Sequence, residues 1–354
     1  MSREVLNLPS VEASNSVTHL DQSFELAPRA RLQDSFGRKF SYLRLSVTDA
    51  CNFKCKYCLP NGFKPNGPSN FLNLTEIENL VRTFARLGTR KIRLTGGEPT
   101  LRSDLGEIAR AIKSVEGIET LALSTNGHSL FEQAAEFRAN GIDQLNISVD
   151  SLDRARFHAN TGRDSLPAVL AGIDRALELN FSSVKINAVL MKENFSAELA
   201  AFQEFVRTRP VAVRFIELMP THDNQAFFEA QHLRSEHLRS LLIAQGWEAR
   251  ERATDDGPAF EFTHPLFAGR IGIIAPYAPS FCDNCNRLRV TSRGGLRLCL
   301  FGDEDYPIRE FLQSASDGEK FEDHLRSVLM TKKVSHFLGS GKIGNNRSFS
   351  VMGG

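Results

Sequence analysis

Short apolar runs alternate with longer amphipathic segments between about residue 40 and residue 220. The runs are rich in aliphatic and β-branched side chains, which is typical of buried strands. The longer segments between them have room for helices. This alternation predicts repeated βα units and a parallel sheet. The predicted strands are Tyr42–Val47, Lys91–Thr95, Thr120–Ser124, Gln144–Val149, Val184–Leu190 and Val211–Leu218.

The amphipathic segments carry apolar residues at helical spacing. The clearest helix begins at Thr75, where Glu78 three residues later suggests a capping box, and Gly88 suits its end. Ser103 opens a second helix. The apolar stripes of three helices are Ile77, Leu80, Val81 and Phe84; Leu105, Ile108, Ala109 and Ile112; and Leu166, Val169, Leu170, Ile173 and Leu177.

Six βα units predict an incomplete (β/α)6 TIM-like barrel, which binds its ligands at the carboxyl ends of its strands. Most polar segments of the chain lie at such ends, whereas Lys185 and Asn187 lie within the fifth strand. The segments at strand ends are Thr95–Pro99, Ser124–Gly127, Ser148–Asp150 and Glu217–Pro220.

The pattern changes after about residue 221. A helical connection is followed by shorter β-like runs at 260–262, 270–274 and 288–290. We therefore predict a flexible N-terminal extension (1–36), the partial barrel (37–245), a smaller C-terminal α+β extension closing its open side (246–345) and a tail (346–354).

Composition excludes several classes of function. The formal net charge of +1 gives no electrostatic case for nucleic acid or an acidic membrane surface. No apolar run reaches the ~18 residues of a membrane span. The N-terminal region contains acids and lacks an apolar core, unlike a targeting segment. We expect a cytoplasmic protein in a reducing compartment, because its cysteines are clustered free thiols.

The 6 cysteines form two groups of three. The first trio is Cys51, Cys55 and Cys58, at Cys-x3-Cys-x2-Cys spacing directly after the first strand. Three thiolates on one loop can hold three corners of a [4Fe–4S] cluster and leave the fourth iron open for chemistry. Zinc is the main alternative, although the x3 gap and the missing fourth ligand count against it.

The second trio is Cys282, Cys285 and Cys299, at Cys-x2-Cys-x13-Cys spacing. A zinc ribbon has a Cys-x2-Cys pair at both ends, and here Cys299 stands alone. His264 is a candidate fourth zinc ligand, but nothing in the sequence ties it to this trio.

The segment from Arg44 to Cys58 resembles the start of a radical S-adenosylmethionine (SAM) enzyme. The resemblance runs from about Phe40 to the C-terminus. It implies a barrel of the radical SAM type and a first cluster that cleaves SAM. It also implies SAM contacts from four residues at strand ends: Tyr57, Gly97, Ser148 and Met219. Taken singly, each of these could be an ordinary turn or core residue.

The second trio, followed by Arg287-Leu288-Arg289, resembles the GTP 3′,8-cyclases of molybdenum cofactor biosynthesis. This resemblance implies an auxiliary [4Fe–4S] cluster that binds guanine. Charged residues inside apolar runs would be costly without a partner, and a phosphate is a suitable one. The residues implied to contact GTP are Arg44, Arg93, Ser124, Lys185, Arg287, Leu288 and Arg289.

The resemblance implies a lyase reaction in which a 5′-deoxyadenosyl radical removes the ribose 3′ hydrogen of GTP and C3′ bonds to C8. It implies that Gly353 and Gly354 enter the active site and assist catalysis. It further implies an electron donor of flavodoxin or ferredoxin type and a functional link to cyclic pyranopterin monophosphate synthase. A homodimer is compatible with it. Two alternatives stay open, a peptide-modifying radical maturase and a non-enzymatic zinc module.

Overall fold

The computed structural model describes residues 31–65, 67, 69–251, 257–345 and 348–350. Gly353 and Gly354 lie outside the described residues. The strands are β1 (Tyr42–Ser46), β2 (Lys91–Thr95), β3 (Thr120–Thr125), β4 (Gln144–Ser148), β5 (Ser183–Leu190), β6 (Ala212–Glu217), β7 (Glu248–Ala249), β8 (Phe260–Thr263), β9 (Arg270–Ile274), β10 (Arg287–Val290), β11 (Gly295–Arg297) and β12 (Tyr306–Pro307).

The helices cover the outer face of the sheet and confirm the predicted βα alternation. They are α1 (Leu74–Arg86), α2 (Leu105–Lys113), α3 (Leu130–Ala139), α4 (Arg154–Thr161), α5 (Leu166–Glu178), α6 (Phe195–Thr208), α7 (Gln225–Gln231), α8 (Ser235–Ala244) and α9 (Gly318–Leu329). Short 3₁₀ helices span Pro99–Leu101, Pro279–Cys282, Arg309–Leu312, Ala315–Asp317 and Leu338–Ser340.

All the strands belong to one sheet, in the order β12-β11-β10-β1-β2-β3-β4-β5-β6-β9-β8-β7. The central strands from β10 to β9 are parallel. The C-terminal strands β9 and β10 thus extend the barrel sheet at both edges, so the predicted C-terminal extension is continuous with the barrel sheet. In the described chain, β7 and β8 separate α8 from β9, and a 3₁₀ helix stands before β10, so the simple βα alternation did not reveal these two as barrel strands.

Side chains alternate between the two faces of each parallel strand, as strand geometry requires. In β1, Leu43 and Leu45 are buried among the helices, whereas Tyr42 and Arg44 line the cavity inside the barrel. Lys185 lies on the same inner face of β5. Its position within a strand therefore does not remove it from the site.

The first turn of α1 differs in detail from the prediction. Asn73, not Thr75, is the N-cap, and its side chain accepts a hydrogen bond from the backbone N–H of Glu76. The Glu76 carboxylate accepts one from the backbone N–H of Asn73 at 2.9 Å. The capping box is real but begins two residues earlier, because Asn-x-x-Glu serves as well as Thr-x-x-Glu.

The last residues of the predicted extension (1–36) pack against the rest of the fold. Leu32 is buried in the main core, and Asp34 is also buried. No helix in the described ranges is long and apolar enough to cross a membrane.

Candidate active site

The barrel encloses a cavity of about 430 Å³ with a strongly positive lining. Among the described residues, eleven Arg and Lys side chains line it, against one carboxylate, Glu119. Arg90 pairs with Glu119 at 2.7 Å. Since the whole chain has a net charge of only +1, this concentration of charge is local and indicates a polyanionic ligand.

Three arginines lie side by side on neighbouring strands. Arg44 is in register with Arg289 of β10 on one side and with Arg93 of β2 on the other. We call these three residues the arginine row. Burial and the neighbouring Arg289 charge hold the pKa of Arg44 well below its usual range. Burial and Arg287 lower the pKa of Arg289 to about 10. Like charges at this spacing repel, so the row favours an anion between them.

Arg93 connects the row to two hydroxyl groups. Its Nε donates to the Tyr42 hydroxyl, and its Nη1 donates to Ser124 Oγ at 3.4 Å. Burial opposes ionisation of Tyr42, but the charges of Arg93 and Arg44 outweigh it and lower the pKa of Tyr42 to about 7. Ser124 thus lies beside the arginine row.

Lys185 and Arg214 form the far wall of the cavity. Burial, with the charges of Arg214, Lys91 and Arg93, lowers the pKa of Lys185 to about 7. Arg214 donates from Nη2 to Asn187 Oδ1 at 2.8 Å, and its buried Nε has no hydrogen-bond partner among the described residues. Arg214 was not predicted, although it lies inside an apolar strand, as Arg93 does, and a charge there is costly without a partner.

The second trio lines the same cavity, since Cys282, Cys285 and Cys299 all contribute to its wall. Burial opposes ionisation of Cys285, but the charges of Arg287 and Lys332 outweigh it and lower the pKa of this thiol. Arg287 also lines the cavity.

Leu288 differs from its two arginine neighbours. It is buried in the apolar core, because alternation along β10 turns it away from the cavity that Arg287 and Arg289 line. Only its backbone is available for the predicted contact with GTP.

Arg38 supports the loop of the second trio through hydrogen bonds. It was not among the predicted site residues. It is buried and pairs through Nε with Asp34 at 2.6 Å. Its Nη1 donates to the Cys282 carbonyl at 3.2 Å and to the Val334 carbonyl at 2.8 Å. Its Nη2 donates to the Lys333 carbonyl at 2.8 Å. One guanidinium therefore fixes the loop that begins the trio against the segment after α9.

The first trio lies on the loop after β1 and consists of free, partly exposed thiols. Burial raises the pKa of Cys51. Burial and the Asp150 charge raise the pKa of Cys55, and burial with the neighbouring Cys51 raises that of Cys58 to about 12. The first trio thus lies near carboxylates and the second near cations.

Gly96 and Gly97 let this loop cross the end of β2. Their backbone runs against the loop, and the Gly97 N–H donates to the Thr48 carbonyl at 2.9 Å. A Cβ at Gly97 would lie 2.1 Å from the Ala50 carbonyl oxygen. Only glycine fits here, so packing alone requires the residue for which we predicted a SAM contact.

Glu98 ties the same strand end to β3. It is buried, and its carboxylate accepts hydrogen bonds from Thr125 Oγ1 at 2.7 Å and from the Asn126 N–H at 2.6 Å. The Asn126 side-chain amide donates to Asn52 Oδ1 at 2.8 Å. The cysteine loop is thereby fixed to two neighbouring strand ends.

The predicted SAM residues lie at three strand ends and on the cysteine loop. Tyr57 donates its hydroxyl to Asp150 at 2.9 Å, and burial raises the pKa of Asp150 to about 6. Ser148 is exposed at the end of β4. Met219 packs with Cys58 and Cys299 against a small apolar cluster, made of Phe301, Leu338 and Phe349. This cluster bridges the surroundings of the two trios.

The donors in both trios are thiols, which are the usual protein ligands of iron–sulfur clusters. In the described ranges, no group of three or more His, Cys, Asp and Glu side chains converges on one metal position. His264 packs against Trp247 and Phe267 and is absent from the lining around the second trio. Each trio offers three thiols, the number that a [4Fe–4S] cluster with one open iron uses.

Comparison with known proteins agrees with this arrangement. A family model described as the Radical SAM superfamily matches residues 45–206, and another, Molybdenum Cofactor Synthesis C, matches residues 211–338. The crystal structure of Streptococcus suis SuiB bound to SAM is similar in fold, with a TM-score of 0.57 at 14% identity, covering 82% of this chain and 68% of that one. The fold and the first trio thus define a radical SAM enzyme.

Curated relatives narrow the class. GTP 3′,8-cyclases of Vibrio atlanticus (strain LGP32) and Yersinia pestis are both 46% identical over 92% of this chain, and the matches cover 98% and 99% of those proteins. The chain belongs to the GTP 3′,8-cyclase family. The Haemophilus ducreyi relative is 47% identical over 91% of the chain and 95% of its own length.

The predicted fold class and family are therefore confirmed. Membership of this family does not agree with the peptide maturase or the zinc module that the sequence had left open. The roles of individual site residues and the domain boundaries stay predictions.

Proposed function

We propose that the chain converts GTP to (8S)-3′,8-cyclo-7,8-dihydroguanosine 5′-triphosphate, an early step of molybdenum cofactor biosynthesis. The observation that carries this proposal is the cavity in which the arginine row lies beside the second trio. The N–H groups of a guanidinium can donate two hydrogen bonds to the oxygens of one phosphate, and a nucleoside triphosphate has three phosphates to bind.

The positive side chains would hold the triphosphate. Arg44, Arg93 and Arg289 offer neighbouring forks on one wall, while Lys185 and Arg214 supply charge from the opposite wall. Binding an anion would relieve the repulsion among these cations. It would also fix the nucleotide in one orientation, which matters because a loosely held ribose would expose several hydrogens to the radical.

The first trio would hold a [4Fe–4S] cluster, with SAM beside Tyr57, Gly97, Ser148 and Met219. When bound, these groups supply the 5′-deoxyadenosyl radical that removes the ribose 3′ hydrogen before C3′ bonds to guanine C8. The chain's own part is to orient the nucleotide and keep water out. The apolar cluster of Phe301, Leu338 and Phe349 lies where that shielding is needed.

The second trio would hold an auxiliary [4Fe–4S] cluster facing the guanine. Support comes from its three thiols on the cavity wall and from the cations Arg287 and Lys332 nearby. Gly353 and Gly354 would reach the same region, because Phe349, only a few residues earlier, packs in the apolar cluster that also contacts Cys58.

We extend the proposal to partners outside the chain. The reaction requires an electron donor of flavodoxin or ferredoxin type, and its product would pass to cyclic pyranopterin monophosphate synthase. A homodimer is compatible with the function.

An anaerobic turnover with GTP deuterated at C3′ tests the proposed function. We expect the reconstituted protein, given SAM and dithionite, to release 5′-deoxyadenosine that carries one deuterium. Unlabelled 5′-deoxyadenosine would mean that another substrate or position is attacked. A protein that binds iron but releases no 5′-deoxyadenosine would contradict the assignment altogether.

A further inference from the structure

The cysteine loop is positively charged and free of acids. Residues 51–65 contain Lys54, Lys56 and Lys64 and no Asp or Glu, and all three lysines are exposed. Lys54 and Lys56 directly flank Cys55 in the sequence. Their charges therefore lie close to the first trio whatever conformations their side chains adopt.

Two backbone hydrogen bonds join the loop to the end of α4. The Lys54 N–H donates to the Thr161 carbonyl at 2.8 Å, and the Lys56 N–H donates to the Asn160 carbonyl at 3.1 Å. Gly62 and Gly162 flank the Lys54 stem. A Cβ at either glycine would lie 3.0 Å and 3.3 Å, respectively, from the nearest Lys54 side-chain atom. The Lys54 side chain therefore has a defined position on the surface, between these two glycines.

Arg163 adds a fourth charge to this surface. It is exposed, and its Nε donates to the Asn52 carbonyl at 2.8 Å, which places its guanidinium beside the loop. We call Lys54, Lys56, Lys64 and Arg163 the cationic rim.

The rim is not neutralised by the protein itself. Within the described ranges, none of its four side chains forms an ion pair, whereas Arg154 and Arg156 of the adjacent helix pair with Asp164 at 2.7 Å and Glu198 at 2.6 Å. The unpaired charges are thus those nearest the first trio. Exposed charges that stay unpaired in this way favour association with an oppositely charged surface.

We propose that the cationic rim is the docking surface for an acidic one-electron carrier protein that reduces the cluster of the first trio. This inference rests on the proposed function, since each reductive cleavage of SAM consumes one electron. The carrier is oxidised by one electron and the cluster is reduced by one. No atom or proton is transferred. Nucleic acid is a weaker fit, because four exposed cations on a chain of net charge +1 provide little counterion release.

Two variants and one control test the docking surface. The double variant Lys54→Glu, Lys56→Glu reverses the charges beside Cys55, and Lys64→Glu, Arg163→Glu reverses the outer pair. Lys320→Glu on α9 is the control, because Lys320 is exposed and pairs only weakly with Asp317, at 3.4 Å. A recombinant flavodoxin of acidic surface serves as the carrier, and dithionite serves as a reductant that needs no docking.

We expect each rim variant to lower flavodoxin-driven 5′-deoxyadenosine formation at least about tenfold at low ionic strength. The dithionite-driven reaction should be unchanged. The affinity of flavodoxin for the rim variants, measured by calorimetry, should fall in parallel, and added salt should narrow the difference from the native protein. The Lys320→Glu protein should behave like the native one.

An unchanged flavodoxin-driven rate in both rim variants would overturn the proposal, as would an equal loss in Lys320→Glu. Suppose that the Lys54→Glu, Lys56→Glu variant also loses the dithionite-driven reaction. In that case the test is the affinity of flavodoxin for the Lys64→Glu, Arg163→Glu variant. An undiminished affinity there would overturn the proposed docking surface. Failure of the native protein with dithionite would instead refute the proposed function, so the two failures are distinguishable.

Discussion

Lys185 should take up a proton when GTP binds. Burial and the charges of Arg214, Lys91 and Arg93 lower its pKa to about 7, so at pH 8 the empty cavity holds it mostly neutral. A bound triphosphate brings negative charge against the same ammonium group. The pKa must then rise, and the group must acquire a proton from the solution as the nucleotide binds.

The size of this uptake follows from the charges. A negative charge about 4 Å from the ammonium contributes about 4 kcal/mol at an effective dielectric constant of about 20. Because 1.36 kcal/mol corresponds to one pKa unit, the pKa of Lys185 rises to about 10. At pH 8 the protonated fraction then goes from about 0.1 to about 1, an uptake of about 0.9 proton.

Calorimetric titration of GTP at pH 8 in buffers of different ionisation enthalpy measures the uptake directly. The Lys185→Arg variant is the control, because an arginine stays charged and exchanges no proton. Protons exchanged by the nucleotide or by other groups are common to both proteins and cancel in the difference. We expect the native protein to take up about 0.9 proton more than the variant. Equal uptake by the two proteins would refute the reasoning.

Four further predictions concern residues of the cavity and residues that hold the surrounding fold together. Tyr42→Phe should also reduce proton uptake at pH 8, because the native phenol, with its pKa lowered to about 7, is mostly ionised before the anion arrives; unchanged uptake would contradict this. Cys285→Ala should keep SAM cleavage and lose cyclised product, and equal loss of both would deny separate roles for the trios. Arg38→Ala should halve the iron content, from about eight to about four atoms per chain, whereas Arg38→Lys should lose less. Glu76→Ala should lower the free energy of unfolding by about 2–4 kcal/mol in denaturant titrations, since Glu76 pairs with Arg309 at 2.7 Å.

The local pattern of apolar and polar residues was sufficient to predict most strands and helices of the barrel. The strand at Lys91–Thr95 matches the prediction residue for residue, because five alternating side chains and flanking turn residues define it without help from the rest of the fold. The helix at α1 was also predicted, although its cap was assigned two residues late. Such features depend on residues that are neighbours in the sequence, so they can be predicted from one sequence alone.

Features that depend on distant partners could not be predicted in this way. Arg38 has no distinguishing pattern around it, and its role appears only when the Cys282 carbonyl and residues 333–334 come within hydrogen-bond distance. Lys332 is similar, because it is buried and donates to the Leu298 carbonyl across the cavity wall. Arg214 could have been predicted, since it interrupts an apolar strand, but its partner Asn187 could not.

The pairing of β10 with β1 creates the site. It places Arg289 in register with Arg44 and completes the arginine row, and it brings Cys285, two residues before β10, to the same cavity. Arg93 and the first trio lie in the segment 45–206, Arg289 and the second trio lie in the segment 211–338, and Arg44 lies one residue before the first segment. Neither segment alone contains a full row or both trios. The proposed nucleotide site therefore depends on the joining of the C-terminal strand to the barrel sheet, and changes that weaken this pairing should impair GTP binding before they disturb the first trio.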